Sequence, residues 1–317
     1  PALPELADQI ARIDLALNED RNGGGLGVTG RLLARADAPL AHFLAVQKNL
    51  SSRLLPLVSS GRTAAAIYGA VLWQGELDRM GQDLAESVGQ RLGPAWTAQV
   101  EESWRRSWAL RDRNGTFAGV LDLDRDAQGR IDTSTIVLTE QGQAGDLLVH
   151  AQRFAEAERT LLGTLAQPGL VFTSQGIAET SIASLPGWHH RMKRNGRDFD
   201  FLQVATGRHL LSIESEAAIA ERIAKDLVPK VLLDGGQKPE GTAAVLAGWV
   251  DGAVIARTLA GQELERVPAN PRFSFNLKSS SQGDLVISAI LPLLDIAMLE
   301  REVQELRARP AEEPEEP

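Results

Sequence analysis

One stretch, Phe273–Leu306, constrains the fold of this chain more than any other. Phe273, Phe275 and Leu277 alternate with polar residues, and Leu285, Ile287, Ala289 and Leu291 alternate again after the polar turn around Gly283. Period two is the pattern of a strand with one side buried. Leu293, Ile296, Ala297, Leu299 and Val303 then recur at helical spacing, with Glu300, Arg301, Glu302 and Glu305 on the other side. The stretch reads as a β-hairpin followed by an amphipathic helix.

The same order recurs upstream. Ile13, Leu15 and Leu17 alternate, a polar turn leads to Gly25, and Leu26, Val28 and Leu32 return. Asp37 is expected to cap a helix with Pro39 in its first turn and Leu40, Phe43, Leu44 and Leu50 on one side. Phe117, Gly119, Leu121 and Leu123 form one arm around Gly129. Ile131, Ile136 and Leu138 form the other, with a change of phase, before a helix over 146–165. Residues 198–212 make a third hairpin around Gly207, followed by a helix over 216–227 that Ser215 caps and that ends before Pro229. The expected fold class is therefore α+β: antiparallel β-hairpins, each followed by an amphipathic helix, repeated along the chain, with the helices on one face of the sheet or sheets. Residues 1–166 are expected to form a first lobe, opened by a short helix over 3–10 and carrying a helical insert at about 51–110. Residues 167–306 form a second lobe, and 307–317 a disordered acidic, Pro-rich tail.

Composition narrows the function classes. The formal net charge is −9 and no basic run occurs, so nucleic acid is not an expected partner. The chain has no cysteine, which removes disulfides, thiolate metal sites and cysteine nucleophiles. No apolar run approaches the roughly 20 residues of a membrane-spanning helix: Asp251 and Arg257 interrupt 242–261, and Pro292 and Asp295 interrupt 285–299. The chain opens on Pro1 without a methionine, which leaves room for a removed signal or anchor.

Several motifs carry the letters of chemistry. Gly25, Gly27 and Gly30 spell GxGxxG, but their flanks alternate as hairpin arms and do not form a βαβ unit. Asp124, Asp126, Gln128 and Asp132, with Gly129 between, imitate a Ca²⁺ loop, with Thr135 where the bidentate Glu belongs, so calcium or another divalent metal is the one cofactor considered. His189 and His190 lie in a polar, basic segment over 186–198 expected to be a loop. With Asp198 and Asp200 they offer a metal-hydrolase cluster, although adjacent histidines on a strand would face opposite ways. Glu214 and Glu216 have an ExE spacing that also suits acids near a helix N-terminus. Trp96, Trp104 and Trp108 read as a core or interface stripe.

The segments GLGVTGRLLARADAPLAHFL and DLVISAILPLLDIAML resemble uncharacterised bacterial exported proteins in which hairpin–helix units recur along a periplasmic or cell-surface region. The resemblance implies export, to the periplasm or cell surface in preference to the cytoplasm, and brings no catalytic motif with it. The expected function is a non-enzymatic exported scaffold, assembly or binding protein that works with a protein partner or as a homo-oligomer. The alternative is a metal-dependent hydrolase using His189, His190, Asp198 and Asp200.

Overall fold

The structure is a computed structural model. It describes residues 8–20, 25–73, 75–112, 115–126, 128–140, 143–162, 172–194, 196–233, 240–268, 271–280 and 283–308. The expected helix over 3–10 lies mostly outside these residues, as do the acidic tail from 309 and most of the segments that join the two expected lobes.

Fourteen strands and eight α-helices are described. The strands are β1 Ile10–Asp20, β2 Gly25–Ala34, β3 Leu50–Ser52, β4 Thr63–Ala70, β5 Thr116–Arg125, β6 Ile131–Glu140, β7 Phe172–Ile182, β8 Leu185–Arg194, β9 Arg197–Ala205, β10 His209–Glu216, β11 Glu240–Ala244, β12 Leu246–Asp251, β13 Arg272–Ser279 and β14 Leu285–Leu291. The helices are α1 Pro39–Ala45, α2 Leu55–Val58, α3 Glu76–Leu92, α4 Ala98–Asp112, α5 Ala144–Leu162, α6 Ala217–Leu232, α7 Gly252–Ala260 and α8 Leu293–Ala308. The fold is α+β. Twelve strands form one sheet in the order β1-β2-β14-β13-β12-β4-β5-β6-β10-β9-β8-β7, and β3 pairs separately with β11. Every pairing in the large sheet is antiparallel.

Strands from 1–166 and from 167–306 interleave in this sheet: β2 pairs with β14, β4 with β12, and β6 with β10. A division at 166/167 therefore does not separate two sheets. The supposed insert at 51–110 contains β4, which sits between β12 and β5 at the middle of the sheet.

Register assigns each side chain to a face, because directly opposed residues point the same way. One row runs Leu15, Gly30, Ile287, Leu277, Leu246, Gly69, Phe117 across seven strands. The face that carries it is called the front, the other the back. On the back, Val120, Ile136, Leu138, Leu211, Ile213, Leu202 and Val204 pack against α2 and against Ala220, Ile223, Ala224, Leu227, Val228 and Val231 of α6. On the front, Trp188, Ala205 and Leu210 pack against Leu110 of α4 and Ala144, Leu147 and Leu148 of α5. Helices thus cover both faces, which corrects the expectation of one. The helices that follow successive hairpins take different places, α5 in front and α6 behind.

Several local expectations fail for identifiable reasons. The phase change in β6 is not a bulge, since its register with β5 is continuous from Phe117 to Arg125. Ile136 and Leu138 pair with Val120 and Ala118 on the back, so they face the opposite way from Phe117 and Leu121. Helix α6 runs through Pro229 to Leu232. It starts after Glu216 with no side-chain cap, because Ser215 is buried and bonded to Ser134 Oγ at 2.7 Å. Helix α1 likewise starts after Ala38 without help from Asp37, and Leu50 belongs to β3.

Candidate functional site

The segment over 186–198 is not a loop. It is mostly β8, paired along its length with β7 and β9. Its polar sequence hides the strand because Trp188 and His190 turn inward under the front helices, while Arg191 and Lys193 reach solvent behind. The two histidines consequently part. His190 is buried on the front, its Nε2 2.8 Å from Ser174 Oγ. His189 lies on the back, its Nδ1 3.3 Å from Asp200 Oδ2. Asp198 shares the back face with Asp200 but stands in solvent, accepting a hydrogen bond from Gln175 Nε2 at 3.0 Å, with Lys193 Nζ 3.7 Å away.

The structure thus joins one histidine and one carboxylate of the four candidates. Burial pushes the Asp200 carboxyl above the ordinary carboxylate value, against the pull of His189 and Arg191. Its Oδ1 has no hydrogen-bond partner among the described residues. The pair can share a proton, but the neighbouring hydroxyl that a nucleophilic mechanism would recruit, Ser215, is opposite Asp200 in the register and is committed to Ser134.

The carboxylates of the β5–β6 turn have protein partners. Asp126 Oδ1 accepts the backbone amides of Gln128 at 2.9 Å and Arg130 at 2.7 Å. Partial desolvation raises the Asp126 pKa, and hydrogen bonds from Arg130 and Gln128 outweigh it and hold the group below its ordinary value. Asp132 accepts from Arg197 at 2.8 Å and Asp124 from Arg62 at 2.7 Å. Gln128 Oε1 accepts weakly from Arg130 at 3.3 Å. The oxygens expected to face a cation bind guanidinium groups and turn amides, while Gly129 supplies the positive φ of 78° that closes the turn. Among the described residues no group of three or more His, Asp and Glu side chains is arranged to hold a metal.

Gly25, Gly27 and Gly30 lie within β2, which has antiparallel neighbours on both sides. Glu214 and Glu216 are on β10, and Glu216 pairs with Arg197 at 2.8 Å. The tryptophans form a helix interface: Trp104 packs on Phe154 with ring centroids 4.9 Å apart and donates its indole N–H to Gly81 O at 2.7 Å. Trp108 lies so close to Gly81 that a Cβ there would collide with its indole ring.

Two depressions were not expected. The larger of these, about 680 Å³, has a mixed polar and apolar lining and lies behind β4, β12 and β13. Its charged wall is already organised: Asp251 caps α7 through the amides of Ala253 and Val254 and accepts Arg272 Nε at 2.7 Å, and Arg272 lies 4.5 Å over Trp249. The sequence signal for it was Asp251-Gly252 ahead of an apolar run, a helix start. The second, about 470 Å³, is an apolar groove where α7 and α8 meet the front face, lined by Ile255, Leu259, Phe273, Ile296, Leu299 and Val303 among others.

That groove opens onto the front of β1-β2-β14-β13-β12-β4-β5. A second row there reads Leu17, Val28, Ala289, Phe275, Gly248, Ile67, Gly119. Phe275 lies across Gly248, where a Cβ would meet its ring at 2.7 Å. Ile13, Leu15, Leu17, Ile67 and Ile287 are exposed, and Val28, Leu32, Phe273, Phe275 and Leu277 only half-buried. Alternation in β1 was legible in the sequence. That its apolar side faces no helix among the described residues was not. Comparison with protein-family models, with curated proteins and with solved structures finds no match.

Proposed function

We propose that this chain is a non-enzymatic exported binding protein that holds an apolar chain, such as the acyl tail of a lipid, on the front of β1-β2-β14-β13-β12-β4-β5. The single observation that carries the reading is the pair of register-aligned apolar rows on the front face beside the groove between α7 and α8, whose strand residues Val250 and Phe273 lie two positions along from Gly248 and Phe275. The groove falls within the range of small-molecule sites, roughly 300–1,000 Å³, and is lined chiefly by aliphatic and aromatic side chains. Among the described residues only Glu300 and Gln304 bring polar side chains to it.

The chemistry of a sheet face selects the ligand. Backbone donors and acceptors in the interior of a sheet are spent on neighbouring strands, so the face offers apolar contact and nothing for an extended peptide to bond. A hydrocarbon needs no hydrogen bonds, and burial contributes about 0.8 kcal/mol for each methylene taken from water. Export is supported by the sequence resemblance.

Titration with a dansyl-labelled long-chain fatty acid tests the reading. Saturable binding is expected, weakened at least about tenfold by Leu259→Glu, which sets a carboxylate in the apolar groove at a partly exposed position. Absence of saturable binding, or equal affinity in the variant, would defeat it.

A further inference from the structure

The edge of the sheet carries an observation independent of any ligand. Among the described residues β1 pairs only with β2, so its outer side is open. In an antiparallel strand alternate residues direct both backbone groups to the same side, so about five or six residues of β1 present unpaired N–H and C=O groups outward. The strand spans Ile10–Asp20, and its centre falls on Leu15. Three of its apolar side chains are placed symmetrically about that residue and are exposed by 57% at Ile13, 74% at Leu15 and 70% at Leu17. A long, open, apolar edge is the feature that folded proteins usually blunt.

We propose that β1 pairs antiparallel with β1 of a second copy about a two-fold axis at Leu15, joining two twelve-stranded sheets into one. In this register Leu15 meets Leu15, and Ile13 meets Leu17 of the second copy, so the whole apolar stripe is paired on the front. On the back Arg12 stands opposite Asn18 and Asp14 opposite Ala16, so no like charges oppose. Arg12 and Asp14 already form an ion pair within their own strand at 2.6 Å, and Glu19 falls opposite Ala11, so no carboxylate meets a carboxylate in this register. Shifting the axis to Asp14 sets two carboxylates against each other. Shifting it to Ala16 sets Ile13 against Glu19. Charge and apolar complementarity therefore select the Leu15 axis. The contact uses the edge and leaves the front of the inner strands uncovered, so it does not depend on the fatty-acid reading.

The absence of cysteine gives a clean test. Directly opposed residues on neighbouring strands have Cβ atoms about 4.5–5.5 Å apart, near disulfide reach. Under mild oxidation Leu15→Cys should form a covalent dimer. Ile13→Cys alone should not, whereas Ile13→Cys mixed with Leu17→Cys should give the mixed dimer. By sedimentation the unmodified chain should dimerise. Leu15→Lys should weaken the dimer at least about tenfold while leaving the melting temperature of the monomer unchanged, and mixing Leu15→Lys with Leu15→Glu should restore it. A chain that is monomeric up to its solubility limit overturns the proposal. So does a dimer indifferent to Leu15→Lys, and so does cross-linking by Ile13→Cys alone as efficient as that by Leu15→Cys.

Discussion

The two ends of the twelve-stranded sheet are built to different plans. Near one end β10 and β9 are packed on both faces, by α6 and α2 behind and by α4 and α5 in front. From β1 to β13 the back is largely polar, with Arg12, Asp14, Asn18, Thr29, Arg31, Ser274, Asn276 and Lys278, and the apolar front meets little beyond α7 and α8. Hydrogen bonding is continuous through both regions, so the ladder does not distinguish them. The difference is side-chain burial: one end spends its apolar surface on folding, and the other keeps it accessible.

This contrast makes quantitative demands. The largest effect belongs to the covered end. Leu211 is 1% exposed between β10's neighbours and α6, and Leu211→Ala should cost about 2–5 kcal/mol in urea unfolding. A loss below about 1 kcal/mol would mean that this core is not close-packed.

A smaller effect is expected at Asp200, whose carboxyl is raised chiefly by burial. A carboxyl with a raised folded pKa contributes stability that is fully present below its unfolded value, about 3.9, and is lost as pH rises through the folded value. The unmodified chain should therefore lose stability across that window, and Asp200→Asn should flatten the slope and be at least as stable at pH 7. Parallel melting-temperature profiles for the two proteins would show that His189 and Arg191 fully compensate the buried charge.

The smallest effect belongs to the open end. Leu17→Ser removes an exposed side chain and should change stability by less than about 0.5 kcal/mol. Chemical denaturation at low protein concentration, where a dimer is dissociated, measures it. A cost as large as that of Leu211→Ala would mean that the stripe is buried within a single chain, and the contrast between the two ends would fall.

Strand character was legible wherever one face alone is apolar. Ile13, Leu15 and Leu17 in β1 and Phe273, Phe275 and Leu277 in β13 alternate because their two faces meet different surroundings. Where apolar residues fall on both faces, alternation loses its meaning. Ile136 and Leu138 then look out of phase with Phe117, and β8, which carries Trp188 and His190 inward and Arg191 and Lys193 outward, looks like a loop. The divergence of His189 and His190 followed from their adjacency once the segment was a strand. The partners of Asp132 and Asp200 did not, because Arg197 and His189 arrive from other strands, whereas Arg130 is local to Asp126.

The sequence by itself determined the α+β class, the four hairpins and the absence of thiol chemistry, since these depend on period, turn residues and composition, all local properties of the chain. Tertiary structure alone decided that the strands enter one sheet in an interleaved order, that helices lie on both faces, and that the front of β1 and its neighbours is left open. An apolar stripe encodes that a face wants cover. Whether the cover comes from the same chain is a matter of where the helices are carried by long-range pairing, and no local pattern contains it.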